Sequence, residues 1–488
     1  MTIDPQAVER AGIVPTYWDA LGVARSAPDG TIERLLTSLQ VSRPDPAIST
    51  RAALRRGKGG CFRPAWMSEG HRLWGVAVQL YSLRSSRNWG IGDFTDLADV
   101  IERSSGVGAD FVALNPVHAL FAADHRRFSP YSPSSREFLN VLYIDVTAMQ
   151  TYSEGALARV SSPELLAALP ALRQTALVDY VGVARCKEIA FRAMFDGFEE
   201  RRTAEPDHPA ARGFERFLRE RGEPLHRFAL YQTLSCRSRF GPDWREWPEE
   251  YRDPGGSAAA AVAEREAREI RYHAFLQWEA DAQLARCADL ARSAGMRVGF
   301  CADLAVGTAT ASAEGWAEQG KIIRGFHVGA PPDAWNGHGQ DWGLAAYSPA
   351  ALMERDGIFH RILRAAMRHA GALRIDHVLG LNRLFLVPAD GRPVDGAYLR
   401  YPFDALAAAL SAESVDHGCV IVGEDLGTVP EGLRERLAAY GILSYRLLVF
   451  STDERGRFLA PEAYPCDALA AFSTHDLPTF RGYWSARD

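Results

Sequence analysis

Three acidic residues in this chain follow short apolar runs: Gly371-Ala372-Leu373 stands ahead of Asp376, Cys419-Val420-Ile421-Val422 ahead of Glu424, and Ala470-Ala471-Phe472 ahead of Asp476. Such runs read as buried parallel strands that end in a functional side chain. Two carboxyls on neighbouring strand ends, about 5–5.5 Å apart, can carry out retaining glycoside chemistry, one as nucleophile and the other as proton donor and acceptor. Asp376 has the shorter side chain and suits close attack, whereas Glu424 is long enough to reach a glycosidic oxygen. Arg374 stands two positions before Asp376, so on an extended backbone both side chains share a face. Its guanidinium is expected to hold Asp376 ionised. Glu424 has no basic neighbour within three residues, which permits the raised pKa of a general acid. The competing reading of any one acid is a helix cap or an ion pair at a strand–helix junction; three acids at successive strand ends weaken it.

Other polar and aromatic residues are less specific. His377, His475 and His118 are candidates to donate to hydroxyl groups, against the commoner structural role of a lone histidine. Tyr131, Trp335 and Trp342 are candidates to stack on sugar rings, against simple loop packing. Asp303 ends a further apolar run, and both it and Asp93 could equally cap turns.

The elements that must position these residues read as an α/β fold, a (β/α)8 TIM-type barrel, in which catalysis sits at the C-termini of the strands. Trp74–Leu80, Ala109–Leu114 and Met296–Cys301 read as strands 1 to 3. The runs before Asp376 and Glu424 are strands 4 and 5, Ile442–Leu448 is strand 6, and the run before Asp476 is strand 7. Residues 1–70 read as an N-terminal helical segment and linker, with helical signatures at 14–18 and 31–36 and a Gly- and Arg-rich linker at 55–60. Residues 71–488 form the catalytic barrel. From about 150 to 290 the periodicity is helical, a large insertion between strands 2 and 3. Residues 324–349 carry Gly, Pro and aromatics and read as an irregular lid loop over substrate. The chain ends at Asp488, leaving room after Asp476 for part of a helix, so the C-terminal eighth βα unit is expected to be missing.

With 488 residues and 47% hydrophobic content, the chain can bury a large core. Its 55 basic and 61 acidic residues nearly cancel and no basic run stands out, which argues against nucleic acid as a partner. Seven scattered cysteines without CxxC spacing argue against a disulfide framework and against zinc. No signal segment and no apolar run long enough to span a bilayer stand in the sequence, so no membrane partner is expected and the location reads as cytoplasmic.

Several segments in this order resemble the amylomaltase family, the 4-α-glucanotransferases or disproportionating enzymes related to the α-amylases. They are Trp89-Gly90-Ile91-Gly92-Asp93-Phe94, Ser129-Pro130-Tyr131-Ser132-Pro133, Ala330-Pro331-Pro332-Asp333 with Gly339-Gln340-Asp341-Trp342-Gly343, Arg374-Ile375-Asp376-His377, Gly423-Glu424-Asp425-Leu426-Gly427 and Ser473-Thr474-His475-Asp476-Leu477-Pro478-Thr479. The resemblance implies retaining transfer of α-1,4-glucan segments between maltooligosaccharides through a covalent glucosyl-enzyme. In that scheme Asp376 is the nucleophile, Glu424 the acid/base, and Asp476 a third acid gripping the hydroxyls of the distorted sugar. Arg374 and His475 would line the same subsite, with His377 as a further substrate-binding residue. Tyr131 would stack on the donor sugar, Trp342 would help form the acceptor side, and Asp303 would be the acid of strand 3. Maltooligosaccharides and other α-1,4-glucans are the expected partners, with no cofactor and no metal. The alternatives are an α-glucan hydrolase with the same site, or an α-glucan-binding protein catalytically impaired by the short C-terminus.

Overall fold

In this computed structural model, residues 3–19, 21–41, 59–161, 163–237, 240–333 and 336–486 are described. Arg55–Lys58 of the expected linker, and Trp335, lie outside the described residues. Seven parallel strands form one sheet: β1 (Gly75–Val78), β2 (Phe111–Leu114), β3 (Gly299–Leu304), β4 (Ala372–Ile375), β5 (Val420–Gly423), β6 (Leu443–Leu447) and β7 (Ala468–Ala471). Each pairs with its neighbour in sequence order, and β1 and β7 are the two edges.

Alternation along the strands decides which side chains face inward. Cys301, Ala372 and Val420 share one apolar cluster with Phe111, Ala113, Leu443 and Leu469. Above it, toward the strand C-termini, Val422, Tyr445 and Leu447 form a second. The alternate residues Leu373, Ile375 and Ile421 instead join the large outer core beneath the helices. Asp303 and Arg374, Cα partners across β3 and β4, lie on the inward side between these layers and the strand ends. Tight packing leaves no room for side chains at two places, Gly371 ahead of β4 and Gly423 at the end of β5 beside the site. A Cβ on Gly371 would collide with the Val298 carbonyl, and one on Gly423 would come within 2.8 Å of Val378 Cγ1.

Between β2 and β3 the chain is helical, with long helices at Tyr180–Ala204, Pro209–Ser235 and Ala267–Ser293. The middle one kinks at Gly222 (φ 53°), two residues before Pro224. The expected helix at 31–36 lies within Asp29–Val41.

Two segments differ from the sequence reading. Residues 14–18 are not helical: Ile13–Val14 pairs antiparallel with Tyr398 and Leu399, and Thr16–Trp18 forms a hairpin with Ala24–Ser26. The reason is long-range, since Tyr17 packs edge-on against Phe385 and Tyr398 at 5.3 and 5.4 Å, and β-branched Val14 and Thr16 suit a pleated surface. Nor is 324–349 irregular throughout. Phe326–Ala330 and Gln340–Leu344 are antiparallel strands of a second, five-stranded sheet completed by Arg383–Pro388, Ala397–Arg400 and Ile13–Val14. Gly339 and Gly343, both at positive φ, accommodate the turn and the irregular register.

Candidate active site

β3, β4 and β5 run side by side and end at the same rim, so the side chains just past them meet. Arg374, 9% exposed, donates from Nη1 to Asp303 Oδ1 at 2.7 Å and pairs through Nη2 with Asp376 Oδ1 at 2.9 Å. Asp303 Oδ2 accepts the Tyr131 hydroxyl at 2.8 Å. On the neighbouring strand, Glu424 is held by backbone donors: His377 N–H to Oε2 at 2.8 Å and Leu426 N–H to Oε1 at 3.0 Å. The first of these exists because His377 is left-handed (φ 48°, ψ 59°), which turns the chain after β4 toward β5. A non-glycine residue in that region carries strain, and such strain concentrates at functional sites.

Burial pushes the Asp376 carboxyl up to about 7; the Arg374 guanidinium pulls against it, and the charges of Asp303 and Glu424 push further upward. Arg374 thus pulls toward the ionised form, as expected, but burial outweighs it. One cation shared with Asp303 does not offset burial plus two neighbouring carboxylates. Glu424 is also raised, first by burial, with Arg374 and the two backbone donors opposing. Both carboxyls are thus raised by burial, the direction that lets an acid/base hold a proton for its leaving group.

The remaining candidates are placed unequally. His475 stacks on Tyr131, with centroids 3.6 Å apart and planes 9° from parallel, so one face of the tyrosine is already covered. Burial keeps the His475 imidazole below its usual range. Asp476 pairs with His475 at 3.2 Å, yet its side chain is 78% exposed; it stands at the surface beside the cluster instead of within it. Trp342 meets the His377 ring edge-on at 5.3 Å, and its indole N–H donates to Gln340 at 3.1 Å. The His377 ring is neutral, lowered to about 4 by burial and by Arg383. His118 is buried and accepts the Ala305 N–H at 3.3 Å, a structural role. Asp93 caps the helix Phe94–Gly106, the turn-capping alternative.

Two residues next to the site escaped the sequence reading. Tyr445 lies beneath Arg374, with the guanidinium carbon 5.2 Å from its ring centroid. Asp425, 1% exposed, accepts from Ser444 Oγ at 2.7 Å, Arg434 at 2.8 Å and the Tyr445 N–H at 3.1 Å. The available signals were the second acid of Gly-Glu-Asp-Leu-Gly and the alternation Leu443-Tyr445-Leu447. Among the described residues, no group of three or more His, Cys, Asp or Glu is arranged to hold a metal ion.

Known proteins share this arrangement of sequence and fold. A family model described as 4-alpha-glucanotransferase matches residues 78–488. A 4-alpha-glucanotransferase of Haemophilus influenzae is 37% identical over 437 residues, 88% of this chain and 62% of that protein. One of Mycobacterium tuberculosis is 36% identical over 443 residues, 86% of this chain and 59% of that protein. The chain thus spans about three fifths of the length of these curated relatives. The crystal structure of amylomaltase from Corynebacterium glutamicum superposes with a TM-score of 0.80 at 25% identity, covering 98% of this chain and 80% of the other. An amylomaltase from Streptococcus agalactiae, in complex with acarbose, shares the fold with a TM-score of 0.69 at 20% identity, over 86% of this chain and 82% of its own.

Proposed function

Because the chain belongs to the 4-alpha-glucanotransferase family, we propose that it is itself a 4-α-glucanotransferase that moves α-1,4-glucan segments between maltooligosaccharides with retention. The observation that carries this reading is the pair Asp376 and Glu424 on adjoining strand ends, with Arg374 the single buried cation between Asp303 and Asp376.

Arg374 engages Oδ1 of Asp376, which leaves Oδ2 to attack C1 of the donor glucosyl unit. As that bond forms, the C1–O4 bond breaks and Glu424 gives its proton to the departing oxygen. The products of this half-reaction are a glucosyl ester on Asp376 and a shortened glucan with a free 4-hydroxyl. In the second half, Glu424 takes the proton from the 4-hydroxyl of an acceptor glucan, whose oxygen attacks C1 and releases Asp376 as carboxylate. Asp303 and Tyr131 fix Arg374 from the far side. His475 and Asp476 are assigned to sugar hydroxyls, His377 to the same subsite and Trp342 to the acceptor side. The second sheet brings the Trp342 strand over His377, and such a cover favours a glucan acceptor over water. Partners are α-1,4-glucans, with neither nucleic acid nor membrane. No described helix is long and apolar enough to cross a membrane, and a cytoplasmic location is the proposed one.

Incubation with maltotriose tests the reading. Glucose together with longer oligosaccharides is expected. Glucose and maltose alone would mean hydrolysis, and unchanged maltotriose would mean a glucan-binding protein.

A further inference from the structure

We propose that Tyr445 is a positioning residue for this reaction, its ring forming the fixed wall that holds the Arg374 guanidinium between Asp303 and Asp376; the inference rests on the transferase reading above. Arg374 must satisfy two carboxylates at once, at 2.7 and 2.9 Å, and a long side chain loses much rotamer freedom in doing so. A planar ring 5.2 Å from the guanidinium carbon removes most competing rotamers and attracts the cation by its negative face. The wall is itself anchored. Tyr445 is 8% exposed, packs with Val422 and Leu447, and donates its N–H to Asp425 Oδ1 at 3.1 Å.

Asp425 also accepts from Ser444, Arg434 and Arg446, the last at 3.1 Å. Against burial, these donors keep its carboxyl below the usual range. Since Asp425 directly follows Glu424, one ionised carboxylate fixes both the peptide that carries the acid/base and the strand that carries the wall.

The groups facing Asp376 are Arg374 from β4, Asp303 from β3, Glu424 from β5 and Tyr131 from the segment after β2, with His475 from the segment after β7 stacked on Tyr131 and facing Asp303 and Arg374. Arg374 is the one permanent cation among these. Loosening it should let Asp376 keep its proton to higher pH, and the nucleophile would then be less available.

The test is a carboxyl titration by NMR of the full chain with 13C-labelled aspartate, Asp376 being assigned by its absence in Asp376→Asn, together with maltotriose kinetics. Tyr445→Leu should raise the Asp376 midpoint by about half a pH unit. It should also lower kcat about tenfold while leaving KM within about threefold. Tyr445→Phe, which keeps the ring, should restore both. A Tyr445→Leu midpoint equal to that of the unsubstituted chain overturns the proposal, as does a Tyr445→Phe variant as impaired as Tyr445→Leu. Should Tyr445→Leu fail to fold, Tyr445→Met, unbranched and flexible enough to fill the irregular space but without a ring face, gives the same comparison. An unsubstituted chain inert toward maltotriose would defeat the transferase reading, while the titration would still decide the role of the wall.

Discussion

Two guanidinium-centred clusters in this molecule use the same ingredients for opposite ends. Arg87 binds three carboxylates, Asp93, Asp96 and Asp145, at 2.9, 2.7 and 2.7 Å. Arg374 binds Asp303 and Asp376. Around Arg87 the acids have further donors. Asp93 caps its helix through the Thr95 and Asp96 N–H groups, Asp96 accepts from Asn88, and Asp145 accepts from Thr95 and Thr147. Lys187 adds a buried positive charge near them. Burial still raises Asp93, while the donors to Asp145 hold it below its usual range; at the strand ends Asp376 is pushed up to about 7 by burial and by its carboxylate neighbours. A saturated cluster ties segments together; an unsaturated one keeps a carboxylate ready to react. The count of opposite charges does not separate the two, but the supply of donors to each oxygen does.

The sharpest way to break the contrast is Asp376→Asn, which should lower maltotriose turnover by more than about a thousandfold if the ester forms there. Retained turnover would return Asp376 to the structural class that Arg87 represents. Glu424→Gln should cost about a hundredfold or more on maltotriose. It should nevertheless keep appreciable activity on α-glucosyl fluoride, whose leaving group needs no proton; equal losses on both donors would remove Glu424 from the acid/base role.

Arg87→Met should act on the fold. It leaves three acids without their shared cation, a loss expected to lower the melting midpoint by on the order of 5 °C. Turnover per folded molecule should stay within about twofold. A fall in turnover with an unchanged midpoint would show that the two clusters are coupled.

A smaller effect concerns stability against pH. With a folded value near 7 against an ordinary 3.8, Asp376 retains in the folded state a proton that the unfolded chain has already released. Its contribution is therefore intact at low pH and lost as pH rises through that window. Asp376→Asn removes the penalty, so its melting midpoint should match that of the unsubstituted chain near pH 4 and exceed it by about 2–4 °C near pH 8. A constant difference across that range would mean that burial does not raise this carboxyl. Smallest of all, EDTA should leave transfer unchanged, because each acid at the strand ends is assigned to protein or sugar; a loss restored by calcium would contradict that assignment.

The barrel strands were legible because buried parallel strands announce themselves as short apolar runs. The runs ahead of Asp376 and Glu424 correspond to β4 and β5 within a residue or two. The second sheet was not legible. Its strands at 326–330 and 340–344 are short and pair with each other, and only 326–330 joins them to the rest of the sheet, through residues 383–388 far along the chain. Residues 14–18 failed as a helix for a related reason: Val14 pairs with Tyr398, and the hairpin that Thr16–Trp18 makes with Ala24–Ser26 packs its Tyr17 on Phe385 and Tyr398.

By itself, the sequence determined which side chains leave the strand ends and in what order, because alternation and apolar runs are properties of neighbours along the chain. The tertiary structure alone decided that Arg374 is shared between Asp303 and Asp376 above Tyr445, and that His377 serves Glu424 through its backbone N–H. It also decided that Asp476 stands exposed at the surface. Lateral register, left-handed backbone and desolvation depend on what surrounds a residue in space, and residues far apart in the chain supply those surroundings.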